Sequence, residues 1–211
     1  MQGGYFINSV VLHGIAKAAY RRTENAPSET AGGQNDALVA VLFSTASLEA
    51  FAMQLALYAH MAAATLSKPQ YLGALGDVLD EVERFQGSVR LKYLIAKLLV
   101  SGQAYDKGAQ PYQDLDLLFK IRDQIVHPKP EKIGHDPSVV KALEAKGLVE
   151  KAKPRVYSSW FGRISTRAVA RWACNVVFDL IDSLRAAFPV QDKPESILNI
   201  DMFWTDFDRV K

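Results

Sequence analysis

The 211-residue sequence predicts an all-α protein, an up-and-down helical bundle. Three observations carry this reading. Apolar residues recur at helical spacing in successive stretches, proline and glycine punctuate the gaps between them, and the longest apolar stretch is rich in alanine and leucine. The first stretch runs from Tyr5 to about Arg22, with Phe6, Ile7, Val10, Val11, Ile15, Ala18 and Ala19 on one side. A polar connector from Thr23 to Asn35 follows, containing Pro27 and Gly32-Gly33. Those glycines lack both a preceding strand and a following Gly-Lys-Ser/Thr, so they read as a flexible joint and not as a phosphate loop. Asp36 is placed to cap the long helix that runs to about Ser67, whose alanines let neighbouring backbones approach closely. That helix is long enough to cross a membrane. Glu49 near its middle, Gln54, His60 and the lack of a strongly basic flank favour a buried core helix, so no membrane partner is expected.

Pro69 breaks the pattern, and Gly87-Ser88 divides the next stretch, Tyr71 to Val100, into two helices. Gly102, Gly108 and Pro111 mark a polar loop before an amphipathic segment from Tyr112 to Val126, which stops at His127-Pro128 because proline disfavours helical geometry in the residue before it. A short helix from about Pro137 to Lys146 ends at Gly147. Residues 148–164 are basic and aromatic, with room for a brief hairpin or extended arm. Ser165 or Thr166 caps a final helix to about Phe188, and a tail with Phe203, Trp204 and Phe207 carries enough aromatics to dock on the domain. The organisation expected is an N-terminal helix and loop over 1–35, a helical domain over 36–188 with a basic insertion at 129–164, and a tail over 189–211.

Composition excludes more than it assigns. With 49% hydrophobic and 23% charged residues the chain is too apolar to be disordered, and its length supports a core without disulfide or metal staples. One cysteine, Cys174, excludes an internal disulfide framework and any Cys-rich zinc module; with no evident leader at the N-terminus, a reducing cytoplasmic compartment is expected. The net charge of +2 is unevenly spread: residues 129–171 hold 10 basic and 4 acidic side chains, and their flanks are neutral or acidic. A concentrated basic stretch is either a solvated face or a footprint for a polyanion.

Signatures of dinucleotide, P-loop, serine-hydrolase, zincin, calcium and di-iron sites are absent. His127 and His135, without a nearby thiol, make a poor zinc pair, so neither metal nor cofactor is expected. The informative residues are Arg122-Asp123-Gln124-Ile125-Val126-His127 before Pro128. Asp123 lies one helical turn before His127, where it can hydrogen-bond and orient the imidazole. Arg122 points roughly 140° away from His127 on a regular helix, so a single copy does not close around a substrate, whereas a two-fold axis brings two arginines and two histidines to one cleft. These groups suit metal-independent RNA cleavage. The 2′-hydroxyl must lose a proton, the 5′-oxygen must gain one and the extra phosphorane charge must be held; histidine does the proton work and arginine offers a planar fork to phosphate oxygens. The competing reading is a helix-terminal histidine favoured by the dipole and an arginine in a surface ion pair.

In LLFKIRDQIVHPKP the sequence resembles the hallmark of the HEPN superfamily, an Arg, usually a polar residue, a short spacer and a His at the end of a helix. SLEAFAMQLALYAH resembles the early helix of the same domains, where an acidic residue such as Glu49 is common, and TRAVARWACNVVFDLIDSL resembles their closing helix. The resemblance covers about Asp36 to Phe188. It implies four to five core helices, a homodimer and often metal-independent endoribonuclease activity in toxin or antiviral systems, with an antitoxin or regulatory protein as a further partner. No fused nuclease, nucleotidyltransferase or sensor domain accompanies the motif, and some relatives serve only as binding or assembly modules. The catalytic set so implied is Arg122 as phosphate ligand, His127 as acid or base, Asp123 as the orienting residue, and Glu49.

Glu49, in so apolar a helix, must be exposed at an end, paired, or facing a cleft, and Arg122 is a candidate partner. His13 and His60 read as structural or surface histidines, and Cys174 as a core residue. For RNA contact the candidates are Lys129 and Lys132 just beyond His127, and Arg163, Arg167 and Arg171, which recur every four residues. Near them in sequence lie Lys151, Lys153, Arg155, Tyr157, Trp160 and Trp172, able to follow a backbone and stack bases, or else to pack in the core and face solvent.

Overall fold

The computed structural model describes residues 8–24, 31–65, 70–128, 137–151, 159–189 and 207–211, and among them every regular element is a helix. In chain order these are α1 (Asn8–Arg22), α2 (Ala31–Thr65), α3 (Gln70–Arg84), α4 (Val89–Ser101), α5 (Tyr112–Val126), α6 (Ser138–Ala145), α7 (Trp160–Ile164) and α8 (Arg167–Ala187). The fold is all-α. α2 packs against α1, α3 and α8 and also touches α4, α5 and α7, so it forms the axis around which the others gather.

Residue choice explains the boundaries. Ser88 caps α4 by accepting a hydrogen bond from the Leu91 N–H, and Thr166 caps α8 in the same way through Val169 N–H. The break before α4 requires glycine: a Cβ on Gly87 would sit 2.5 Å from Val82 Cγ1 and 2.9 Å from the Val82 carbonyl oxygen. Gly102 ends α4 with φ of 71°, donating its N–H to Leu98 O.

Two sequence expectations are corrected here. Gly32 and Gly33 do not form a connector but lie inside α2, which begins at Ala31. Asp36 is therefore not an N-cap. Its carboxylate instead accepts two hydrogen bonds from Arg22 (2.9 and 2.6 Å), tying the end of α1 to α2, and holds the Arg22 guanidinium above its usual pKa. Two glycines cost a helix about 1 kcal/mol each relative to alanine. In the basic stretch, α7 occupies residues 160–164 where a hairpin or arm was allowed for; residues 152–158 lie outside the described set.

The core is continuous. Leu48, Phe51 and Leu55 of α2 meet Leu72, Leu75 and Leu79 of α3, Tyr93 of α4, Leu115, Leu118 and Ile121 of α5, and Val177, Leu180 and Leu184 of α8. Burying one such leucine stabilises the fold by roughly 1.5–3 kcal/mol. α2 alone among the described helices is long and apolar enough to cross a membrane, and half of its most apolar window is buried against its neighbours. A second, smaller cluster joins Ala16, Ala19 and Tyr20 of α1 to Ala37 and Ala40 of α2 and to Ala170 and Cys174 of α8, where small side chains bring three backbones together.

At the C-terminus, Phe207 is buried with its ring 5.3 Å from His13 and edge-on to Phe51 at 5.8 Å. Asn175 of α8 exchanges two hydrogen bonds with the Val210 backbone, and Arg209 pairs with Asp179. Phe203 and Trp204 lie outside the described residues.

Candidate functional site

α5 presents a split personality that its sequence spacing dictates. Leu115, Leu118 and Ile121 are fully buried, whereas the last turn runs out past the core into solvent. His127 is the C-cap, with φ −123° and ψ 62°, and its backbone N–H donates to Asp123 O at 2.9 Å. Its imidazole is exposed and makes no hydrogen bond or ion pair with a described residue.

Arg122 is two-thirds covered. Its Nη1 donates to Asp123 Oδ1 at 3.0 Å, and its Nη2 lies 3.6 Å from Glu49 Oε1 on α2. Glu49 is thus paired with Arg122, one of the options its sequence position allowed. Asp123 does not play the part expected of it. Its carboxylate faces two arginines, Arg122 and Arg90 of α4 (3.8 Å from Oδ2), and only its carbonyl reaches His127. The reason is electrostatic: two guanidinium groups within 4 Å outbid a solvated imidazole for one carboxylate.

Arg90 extends the site. It donates to Asp116 Oδ1 at 2.6 Å, and Lys120 pairs with Asp116 Oδ2 at 2.6 Å, so Glu49, Arg122, Asp123, Arg90, Asp116 and Lys120 alternate in charge across α2, α5 and α4. Partial burial pushes the Asp116 carboxyl up, but the hydrogen bonds from Lys120 and Arg90 outweigh it and hold the group below the usual carboxylate range. Sequence reasoning missed Arg90 and Asp116. The spacing of Asp116, Lys120 and Asp123 puts them on one flank of α5, a legible signal; nothing in the sequence of α4 announces Arg90 as their partner.

The remaining candidates divide. Arg163 is 8% exposed, pairs with Glu144 and donates to the Glu150 carbonyl at 2.6 Å, so it ties α7 to α6 and is withdrawn from solvent. Arg167 pairs with Glu24 and lies over the Tyr20 ring at 5.6 Å, joining α8 to the end of α1. Arg171 and Lys151 are exposed. The ladder of three arginines thus holds two structural members and one open to solvent. Trp160 is buried against Phe161, at 4.2 Å between ring centroids, and Trp172 is half-buried with an indole N–H that lacks an acceptor among the described residues. Lys129, Lys132, His135, Lys153, Arg155 and Tyr157 lie outside the described residues.

No protein-family model, curated protein or solved structure matches this chain.

Among the described residues no group of three or more His, Cys, Asp and Glu side chains is placed to hold a metal ion. His60 accepts or donates one hydrogen bond with Asp80 at 2.8 Å on the surface between α2 and α3. Cys174 is fully buried, and burial pushes its thiol up to about 11. Chemically, the end of α5 offers a guanidinium fixed from two sides and an exposed imidazole.

Proposed function

We propose that this chain is a metal-independent endoribonuclease of the HEPN kind, cytoplasmic, acting as a homodimer in a toxin or antiviral setting under an antitoxin or regulatory protein. One observation supports this most: Arg122 is held by Glu49 and Asp123 at the exposed end of α5, five residues from an imidazole with no competing partner among the described residues. A guanidinium oriented in advance binds a phosphate oxygen without first losing its own freedom, and an imidazole can both accept and donate a proton. In this reading the RNA 2′-hydroxyl attacks the adjacent phosphorus, His127 takes its proton, and the 5′-oxygen leaves with a proton from a second histidine. The products are a 2′,3′-cyclic phosphate and a 5′-hydroxyl. Arg122 holds the charge that develops on the phosphorane. Because Arg122 and His127 diverge around the helix, the second arginine and histidine come from a second copy across a two-fold axis. Glu49 and Asp123 then act as positioning residues for Arg122.

The second reading is a non-catalytic helical module that binds RNA or protein, and the same ion pairs favour it, since they satisfy Arg122 without a substrate. Cleavage of total RNA and defined oligonucleotides, with chelator present, separates the two. The enzyme reading expects His127→Ala and Arg122→Ala each to lower cleavage by about 100-fold or more, and expression toxicity to vanish with His127→Ala. Equal RNA degradation by wild type and both variants, or none by any, leaves the module.

A further inference from the structure

Lysines gather at a second place besides the end of α5. A cleft of about 530 Å³ opens between α5, α6 and the loop before α5. Lys107 enters it from the loop, Lys120 from α5 and Lys146 from the C-terminal cap of α6, with Gln113 and Ser138 as further polar groups over an apolar floor that includes Leu117 and Val139. Lysines from three different elements line one space, and among the described residues Asp116 is the one carboxylate in its lining, while the Lys146 ammonium is bonded to Asp114, which does not line it.

Local pairing leaves Lys107 and Lys120 usable. Asp116 is bonded by Arg90 through one oxygen and by Lys120 through the other, so Lys120 can turn toward a ligand while Asp116 keeps a charged partner. Lys146 is anchored by Asp114 at 2.7 Å, which fixes its position at the cleft wall. Lys107 is exposed and has no ion pair among the described residues; the neighbouring Asp106 carboxylate accepts the Gly108 N–H at 2.8 Å. The volume falls in the range of small-ligand pockets. Among the described residues that line it there is no aromatic ring and no arginine, and those residues offer no means to stack or read a base. Flexible lysines with polar neighbours suit instead the dispersed charge of phosphate groups.

We propose that this cleft is a binding site for phosphate groups, supplied by a free oligophosphate or by the backbone of single-stranded RNA. The phosphate site stands independently of any cleavage; its RNA form rests on the ribonuclease reading. In that form Lys120 of α5 and His127 at its C-cap, seven residues on, guide a strand from the cleft toward the reacting end.

The test measures binding without chemistry, using inorganic tripolyphosphate by calorimetry and a fluorescent ten-nucleotide 2′-O-methyl RNA by anisotropy across a salt series. The doubly substituted Lys107→Gln/Lys120→Gln protein, checked for an unchanged circular dichroism spectrum and melting temperature, is expected to bind at least one probe about fivefold or more weakly, with a shallower salt dependence. Arg21→Gln, an exposed cation on α1 away from the cleft, is expected to bind as wild type does. Loss confined to tripolyphosphate assigns the cleft to a small phosphate ligand, and loss with RNA assigns it to the backbone. Wild-type binding of both probes by the double variant, or equal weakening by Arg21→Gln, overturns the site. Tripolyphosphate binding by the wild-type protein is measured apart from any cleavage, so failure of the ribonuclease reading shows only in the cleavage assay.

Discussion

Acidification provides a stringent test of how the C-terminal residues are fastened to the helices. His13 of α1 is 0% exposed, among the described residues neither ring nitrogen meets a partner at good hydrogen-bond geometry, and its ring packs on Phe207. Burial foremost, and then the neighbouring Lys17, pull its pKa from 6.5 down to about 4, only partly opposed by the Asp208 backbone and carboxylate. Because the folded value is depressed, the unfolded chain binds the proton more readily, so stability is full above pH 6.5 and falls progressively as pH drops toward 4. Linkage between these two values gives a loss of about 1.4 kcal/mol at pH 5.5 and about 2.5 kcal/mol at pH 4.5 from this one residue. Other carboxylates titrate in the same window, so the informative quantity is the difference between wild type and His13→Leu in urea unfolding. At pH 7.5 the two should lie within about 1 kcal/mol, since leucine removes two unpartnered buried polar atoms while losing some ring contact. Relative to wild type, the variant should then gain about 2.5 kcal/mol by pH 4.5. Parallel pH profiles for the two proteins would refute the claim that His13 is held neutral by burial.

Two further outcomes follow from the same geometry. A double-mutant cycle on Glu49→Gln and Arg122→Gln, read by urea unfolding, should give a coupling of about 0.5 kcal/mol, because both side chains remain about one-third exposed and solvent screens the pair; a coupling above about 2 kcal/mol would contradict that exposure. Cys174 should react with an aromatic disulfide reagent at pH 8 at least about 100-fold more slowly in the folded protein than in urea, given a thiol pKa near 11 and full burial; rapid labelling of the folded chain would show the α1–α2–α8 packing to be open.

Much of the helix order was legible from local chemistry. α5 begins and ends where its apolar spacing and the His127-Pro128 stop placed it, the Gly87-Ser88 break falls between α3 and α4, and Thr166 caps α8. These features depend on residues within a few positions of one another, and such interactions survive without knowledge of the fold. Gly32 and Gly33 misled because local propensity favours a connector; long-range packing of α2 on α1 and the Arg22–Asp36 pair reverse the balance. Arg163 and Arg167 formed a regular ladder in the sequence, but their acceptors, Glu144 and Glu24, lie 19 and 143 residues away.

The sequence by itself determined the all-α class and the presence of an arginine and a histidine at the end of one amphipathic helix, because periodicity, caps and a proline stop are written into neighbouring residues. Tertiary structure decided which charges those residues meet. The helix fixes where Arg122, Asp123 and Glu49 can point, but the approach of α2 and α4 to α5 gave Arg122 to Glu49, gave Asp123 to Arg90 and Arg122, and left the His127 imidazole exposed. Coulomb attraction acts through space and is indifferent to separation along the chain, so the partners of a charge are settled only when the helices have packed.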